Sequence, residues 1–203
     1  MLLQAVEEGA PPAFRTWTIS QATVVVGRSV LIEEEVDEQF CASRAIPIVR
    51  RQSGGRSVLV GRGTLQYSFA LPYSLGEELA TISGSKRFCN RLLIPALRHA
   101  TRTGRVIDED TSGDLVVGGR KIAGLALRRR RSAMLLHGTI LVSADIALIA
   151  SALRHPKQEP AYREGRSHHA FIANVGGLDE SMFRDSVAEQ LSSLAAVLRC
   201  TQL

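Results

Sequence analysis

Apolar positions recur along this chain in short runs, each closed by glycine, proline or a cluster of charges, and the spacing inside a run predicts its conformation. A short helical start is stopped by Ala10-Pro11-Pro12. The β-branched run Thr23 to Val26 ends at Gly27-Arg28, as a strand followed by a turn does. Glu33 to Ser43 carries its acidic residues early, which suits the positive end of a helix dipole, and spaces Val36 and Phe40 as on one helix, with Cys41 on its inner side. Ile46-Pro47-Ile48-Val49 is apolar but holds a proline, so it predicts an edge or bent strand. Ser57 to Val60 and Leu65 to Leu71 read as strands, with Gly61-Arg62-Gly63 between them as a hairpin-type interruption. Beyond Pro72, Leu75 to His99 has helical spacing, interrupted near Ser83-Gly84-Ser85 and again near Pro95.

Arg105 to Ile107 leads into an acidic turn, Asp108 to Ser112. Asp114 to Val117 then reads as strand, closed by Gly118-Gly119, a two-residue hairpin signal that puts Lys121 on the returning strand. Lys121 to Arg131 and Ser132 to Ser143 alternate apolar stretches with turns, and Ala144 to Leu153 reads as helix. Pro156 to Gly177 reads as a loop holding one strand, Ala170 to Val175. Asp179 to Leu198 is a closing helix in which Phe183, Val187, Leu191, Leu194 and Leu198 recur at spacings of three or four. Hairpins mixed with helices predict an α+β fold, a mixed β-sheet flanked by helices, rather than regular βαβ winding. No internal repeat is visible, and 203 residues suit a single domain.

Composition changes this picture little: 45% hydrophobic and 22% charged residues are an ordinary globular mixture, which excludes a disordered or fibrous chain. The 25 Lys+Arg against 20 Asp+Glu give a net charge of +5, an excess that attracts phosphates or acidic proteins without requiring nucleic acid. Cys41, Cys89 and Cys200 are odd in number, widely spaced and outside any CxxC or Cys/His cluster. They argue against a disulfide framework or a zinc site and for a reducing compartment, and no haem is expected. There is no basic n-region ahead of a long apolar core, and no run reaches the roughly 18 apolar residues of a membrane span, so the expected place is the cytoplasm.

The segment Arg50-Arg51-Gln52-Ser53-Gly54-Gly55 puts two arginines ahead of a glycine pair. Bare backbone N–H groups and guanidinium forks suit phosphate. However, the residues that follow read as strand, and neither G-x-x-x-x-G-K-[ST] nor G-x-G-x-x-G before a helix is present. These residues alone leave open both a phosphate cradle and a glycine hairpin with surface arginines. A wider pattern adds to them. The segment resembles the RRxSGG motif of lipoate-protein ligases, Gly118-Gly119-Arg120-Lys121-Ile122-Ala123-Gly124 resembles their G-x-K-[IF]-[SA]-G lysine segment, and Leu136-His137-Gly138-Thr139-Ile140-Leu141 resembles their HGT[LI]L strand. The likeness runs from Trp17-Thr18 and Val25-Val26-Gly27-Arg28-Ser29 to Tyr162-Arg163-Glu164-Gly165-Arg166-Ser167-His168-His169-Ala170-Phe171-Ile172-Ala173-Asn174. The chain thus resembles the biotin/lipoate A/B protein ligase catalytic domain, in the form of short single-domain members.

That resemblance implies transfer of a lipoyl or octanoyl group from its adenylate to a lysine of a lipoyl carrier domain, either a 2-oxoacid dehydrogenase E2 or a glycine cleavage H-like protein. It implies ATP and Mg²⁺, or preformed lipoyl-adenylate. Acyl contacts would come from Arg51, Ser53, Gly54, Gly55, Arg56, His137, Gly138 and Thr139. Nucleotide contacts would come from Thr64, Gln66, Asp114, Lys121 and Ala123, with Asp114 as the magnesium ligand. Lys121 would be catalytic, because a fixed ammonium beside developing oxyanion charge stabilises a transition state. Plainer readings stand beside these: Lys121 as an exposed strand-end lysine, Asp114 as a turn residue, His137 as a hydrogen-bonded core histidine. The run Arg128-Arg129-Arg130-Arg131 would draw an acidic carrier domain or form a solvated hairpin rim; nucleic acid ranks last, because no stacking aromatics accompany it.

The chain also departs from the pattern. Arg56 replaces the third glycine of SGGG, Ala123 and Leu125 replace polar residues beside the lysine, and Gly113 and Gln66 stand where asparagines are usual. One catalytic domain over 1–203 with no C-terminal accessory domain is expected, which implies a separate subunit for activation. Octanoyltransferases of this superfamily use one domain but pass the acyl group through a cysteine after the HGT strand, and between Thr139 and Asn174 there is none. Cys41 and Cys89 read as buried helix residues and Cys200 as structural. A cysteine-independent, octanoyl-carrier-protein-dependent octanoyltransferase and a non-catalytic acyl- or nucleotide-binding homologue are therefore the alternatives.

Overall fold

The computed structural model describes residues 2–101 and 104–201, with 197–201 described by backbone alone. From the N-terminus come α1 (Leu2–Glu7), β1 (Ala13–Thr18), β2 (Thr23–Val26), α2 (Ile32–Glu35), α3 (Glu38–Ser43), β3 (Ile48–Arg50), β4 (Val58–Val60) and β5 (Thr64–Pro72). The long helix α4 (Ile82–Thr101) follows, then β6 (Asp108–Glu109), β7 (Leu115–Val117), β8 (Arg120–Arg129) and β9 (Ala133–Leu141). The chain closes with α5 (Ile146–Ala152), α6 (His168–Phe171) and α7 (Glu180–Thr201).

Six strands pair antiparallel in the order β1-β5-β9-β8-β7-β6, and three form a smaller mixed sheet, β3-β2-β4. On one face of the large sheet, Phe88, Leu93 and Leu97 of α4 and Phe183 and Val187 of α7 pack against Leu65, Tyr67, Phe69, Leu136 and Ile140. Each fully buried side chain of this size contributes about 1.5–3 kcal/mol. A second cluster joins Val24, Val26 and Leu59 of the small sheet to Leu141, Ile149, Phe171 and Ile172. β5 is therefore covered on both faces, and every residue from Thr64 to Leu71 is buried.

Several expectations hold: the strand Thr23–Val26, the edge strand after Pro47, the turn at Gly118-Gly119 and the closing helix, which Asp179 caps by accepting from Met182 N at 3.0 Å. Leu198 and Cys200 have side chains outside the described residues. The stretch Glu33 to Ser43 is not one helix. Val36 is extended and bridges Leu153, and Asp37 caps a second helix by accepting from Phe40 N at 2.8 Å. Strands β4 and β5 are not a hairpin but lie in different sheets. Ser83-Gly84-Ser85 does not interrupt α4; it is the first turn, capped by Thr81 Oγ1 accepting from Gly84 N at 2.9 Å, and Pro95 lies inside the same helix. The expected strand over Ala170 to Val175 is replaced by α6 and a single bridge, Lys121 to Ile172. The strand Ala13–Thr18 has no counterpart in the periodicity reading, because one of its faces stays largely exposed.

Candidate active site

A cavity of about 380 Å³ opens between the two sheets, walled by β5, β8 and β9 on one side, β2 and β4 on the other, and by α2, α5 and the segment 156–172. Most of its lining is apolar, including Val25, Leu59, Val60, Leu125, Leu141 and Ile149. Into it come Lys121, Gln66, Thr139, His137, Arg51 and Arg56, with Gly138 and Ala123 also on the wall. An apolar pocket with a few convergent polar groups is the usual form of a small-molecule site.

Lys121 is placed by a bulge. Leu115 faces Ala123, but Val116 faces Lys121, so Ile122 is an extra residue on β8. Ile122 and Ala123 both join the helix-side core, and the alternation restarts with Lys121 brought round to the face of Gly124 and Ala126. Lys121 Nζ lies 2.9 Å from Asp114 Oδ2, which also accepts from the Tyr162 hydroxyl at 3.0 Å. The plainer reading of Lys121 as an exposed strand-end lysine is thereby set aside: its side chain is 29% exposed and its tip is held by Asp114. Gly124 must be bare for this, since a methyl there would sit 2.7 Å from Lys121 Cε and Nζ. Gly124→Ala is therefore expected to push Nζ aside, lowering turnover by about a hundredfold while thermal melting stays nearly constant, because the tip of a flexible side chain moves at little cost. Unchanged turnover in a folded Gly124→Ala protein would contradict this placement.

The arginine pair has a different task from phosphate binding. Arg51 donates to Val25 O at 3.1 Å, Ser53 Oγ at 3.1 Å, Gly54 O at 2.8 Å and Arg56 O at 2.7 Å. Arg50 donates to the carbonyls of Gly27, Arg28 and Val30 at 2.8, 3.1 and 2.8 Å. Both guanidinium groups satisfy carbonyls of the two loops and press them together, so tightly that a methyl on Gly27 would sit 1.9 Å from Gly55 O. Ser53, Gly54 and Gly55 do not line the cavity: Ser53 is buried behind its wall against His137, and the two glycines are exposed. Ser53 Oγ lies 2.6 Å from His137 Nε2 and accepts from Arg51 Nε, which leaves its own hydrogen for the imidazole. Burial, then the nearby Arg51 charge, lowers the His137 pKa to about 4, so the ring is neutral near pH 7. It is a hydrogen-bonded histidine and a cavity wall at once.

Thr64 also stands one layer back. It accepts from Gln66 Nε2 at 2.8 Å, while Gln66 Oε1 accepts from Thr139 Oγ1 at 2.6 Å, and of these three only Gln66 and Thr139 reach the cavity. Asp114 meets the cavity only through Lys121. Among the described residues no cluster of three or more His, Cys, Asp or Glu side chains is arranged for a metal. Both contacts of Asp114 fall on Oδ2, so Oδ1 is the oxygen a magnesium ion would take, with phosphate and water completing its shell.

The pattern along the chain gave no warning of the cavity contacts made by Glu35, Gln158, Arg163 and His168. Arg163 is 4% exposed and lies over the Phe171 ring at 4.7 Å; burial and the Arg163 charge lower His168 to about 4. Arg163 and His168 fall in the quoted Y-R-x-x-R-S-H stretch, Glu35 in α2 and Gln158 in the segment after α5, where spacing carries no information on long-range contact. The arginine run closes β8 and enters the turn to β9: Arg128 and Arg129 are half-buried, while Arg130 and Arg131 are exposed at the hairpin, as the rim reading has it. Arg129 donates to Leu79 O and Ala80 O, both at 2.9 Å, Arg130 pairs with Glu7 at 2.9 Å, and Arg128 bonds Gln52. Cys41 and Cys89 are buried away from the cavity, and burial raises both thiols. Among the described residues no helix is long and apolar enough to cross a membrane.

Comparison with known proteins agrees with this architecture. Residues 1–194 match the family model of the lipoyl protein ligase A/B catalytic domain. The chain is 25% identical to a lipoate-protein ligase of Bacillus subtilis (LplJ) over 174 residues, covering 85% of this chain and 50% of that protein. It is 30% identical to an octanoyltransferase of Staphylococcus aureus (LipM) over 166 residues, covering 71% of this chain and 60% of that one. The chain thus spans about half to three fifths of these two relatives. A solved bi-partite lipoate protein ligase of Thermoplasma acidophilum, described with its E2 lipoyl domain, superposes with a TM-score of 0.76 at 23% identity, covering 95% of this chain and 76% of that one. The chain belongs to the lipoyl protein ligase A/B catalytic-domain family.

Proposed function

We propose that this chain transfers a lipoyl or octanoyl group from its adenylate to a lysine of a lipoyl carrier domain, with Lys121 as the catalytic group. The observation that carries the reading is the Lys121 ammonium, held across Gly124 by Asp114, whose carboxylate also accepts from the Tyr162 hydroxyl, in the wall of an apolar cavity. The acyl chain takes the apolar lining, and its activated carbonyl lies at Lys121. As the carrier amine attacks, a C–N bond forms, the C–O bond to the phosphate breaks, AMP leaves and the amine releases a proton. Negative charge grows on the carbonyl oxygen and on the leaving phosphate, and a fixed ammonium stabilises both. Asp114 keeps that ammonium in place; its other carboxylate oxygen would hold Mg²⁺, which supplies charge neutralisation to a nucleotide phosphate. Gln66 and Thr139, locked to each other and to Thr64, offer fixed polar contacts beside it.

The partners in this reading are an E2 or H-like carrier domain and a separate polypeptide that assists activation, as the bi-partite Thermoplasma enzyme suggests. The 30% identity to an octanoyltransferase favours a second reading, direct transfer from octanoyl-carrier protein. Among the described residues no cysteine reaches the cavity, so none of them offers a thioester for that route. One assay decides: apo lipoyl domain is incubated with lipoate, ATP and Mg²⁺, with preformed lipoyl-adenylate, or with octanoyl-carrier protein, and its mass is measured. Modification from the adenylate is expected. Modification from octanoyl-carrier protein alone would establish the second reading, and none from any donor would leave a binding homologue.

A further inference from the structure

Arg56 occupies the place of a motif glycine, and its side chain spans one edge of the cavity. NH1 lies 2.6 Å from Glu35 Oε1 on α2, while NH2 donates to Gln158 Oε1 at 3.0 Å and to Gln158 O at 3.1 Å. Glu35 is 5% exposed, and its other oxygen accepts from Ser57 N at 2.8 Å, so the carboxylate is partnered entirely by residues 56 and 57. Gln158 is exposed and the Arg56 side chain is 43% exposed, yet all three residues line the cavity. The bridge therefore lies where the cavity meets solvent, joining α2 to the segment that follows α5. That segment is tied to α2 a second time by the Val36–Leu153 bridge and by Arg154 N donating to Glu35 O at 2.9 Å.

The bridge is also set apart from the reacting ammonium. Lys121 lies across Gly124, whereas the Cβ direction of Gly55 meets Ala126, two residues further along the same strand face and about 7 Å away. Arg56 follows Gly55 and reaches outward to α2. An acyl chain whose carbonyl sits at Lys121 and which follows the apolar wall past Ala126 runs toward this bridge.

We propose that the Arg56–Glu35–Gln158 bridge is a chain-length stop, closing the cavity on the side away from Lys121 and limiting the acyl group to medium length. This rests on the acyl-transfer reading given above. A side chain held by a buried carboxylate cannot swing aside for extra methylenes as a free arginine would. Forcing groups into a closed, packed space weakens binding by about ten- to a hundredfold.

Arg56→Gly alone would strand Glu35 as a buried, half-partnered anion, so the test uses R56G/E35Q, whose amide still accepts from Ser57 N. Calorimetric binding of hexanoate, octanoate, decanoate, dodecanoate and tetradecanoate is measured on both proteins, each series referred to octanoate on the same protein. The wild-type chain is expected to show a sharp loss, at least about tenfold, at the first acid that overruns the stop. In R56G/E35Q the loss should move to a longer acid or vanish. A break at the same acid in both proteins, or no break in the wild-type series, overturns the stop. Transfer from the matching acyl-adenylates is followed in parallel: failure of every donor would sink the catalytic reading, while the binding series still decides the stop.

Discussion

Lys121→Ala is expected to lower transfer from lipoyl-adenylate to an apo carrier domain by about a thousandfold, the scale of losing a charge-stabilising donor in a water-poor site. The ammonium supplies no packing that another residue could replace, and among the described residues Lys121 is the cation tied to Asp114 beside Gly124. Stability should respond differently. Asp114, 8% exposed, loses its cation but keeps the Tyr162 hydroxyl at 3.0 Å, so the cost is about 1 kcal/mol, or a fall in Tm of about 2–4 °C. Adding Asp114→Asn to Lys121→Ala should recover part of that melting temperature and none of the transfer. That split separates a catalytic group from a structural one. A Lys121→Ala protein that still modifies the acceptor within about tenfold of wild type would end the assignment.

The readability of Lys121 came from its neighbours in sequence rather than from periodicity. Two glycines and a returning strand put it on β8, and the family motif gave it a role. Alternation would have sent it to the same face as Ala123 and Leu125; the bulge at Ile122 reverses that, and a bulge has no sequence mark strong enough to be read from one chain. The glycine segment shows the opposite failing. Its motif was legible, but which atoms face the ligand was not, because Arg50 and Arg51 are occupied by carbonyls brought close only when the small sheet forms. Glu33 to Ser43 read as one amphipathic helix since its local spacing allows one. The long-range bridge of Val36 to Leu153 and the pull of Arg56 on Glu35 break it. What remained hidden in the site, Glu35, Gln158, Arg163 and His168, depends on contacts between residues far apart in sequence, where spacing carries no signal.

His137 offers a prediction of a different kind, on stability against pH. Its folded-state pKa of about 4 lies below the ordinary 6.5, chiefly because the ring is buried and secondarily because Arg51 stands beside it. Between those two values the unfolded chain binds a proton that the folded chain does not, so stability is fully present above pH 6.5 and falls as pH drops toward 4. By linkage the loss attributable to this one ring is about 2 kcal/mol between pH 7 and pH 4.5. His168 is lowered in the same direction, and carboxylates add their own dependence, so the informative quantity is a difference between two proteins. His137→Gln keeps a polar partner for Ser53 Oγ and cannot titrate in this range. Urea unfolding at pH 7 and pH 4.5 should show wild type losing about 2 kcal/mol more than His137→Gln over that interval. Equal losses would mean that the imidazole takes up its proton without penalty inside the wall, and that burial and the Arg51 charge do not hold it neutral.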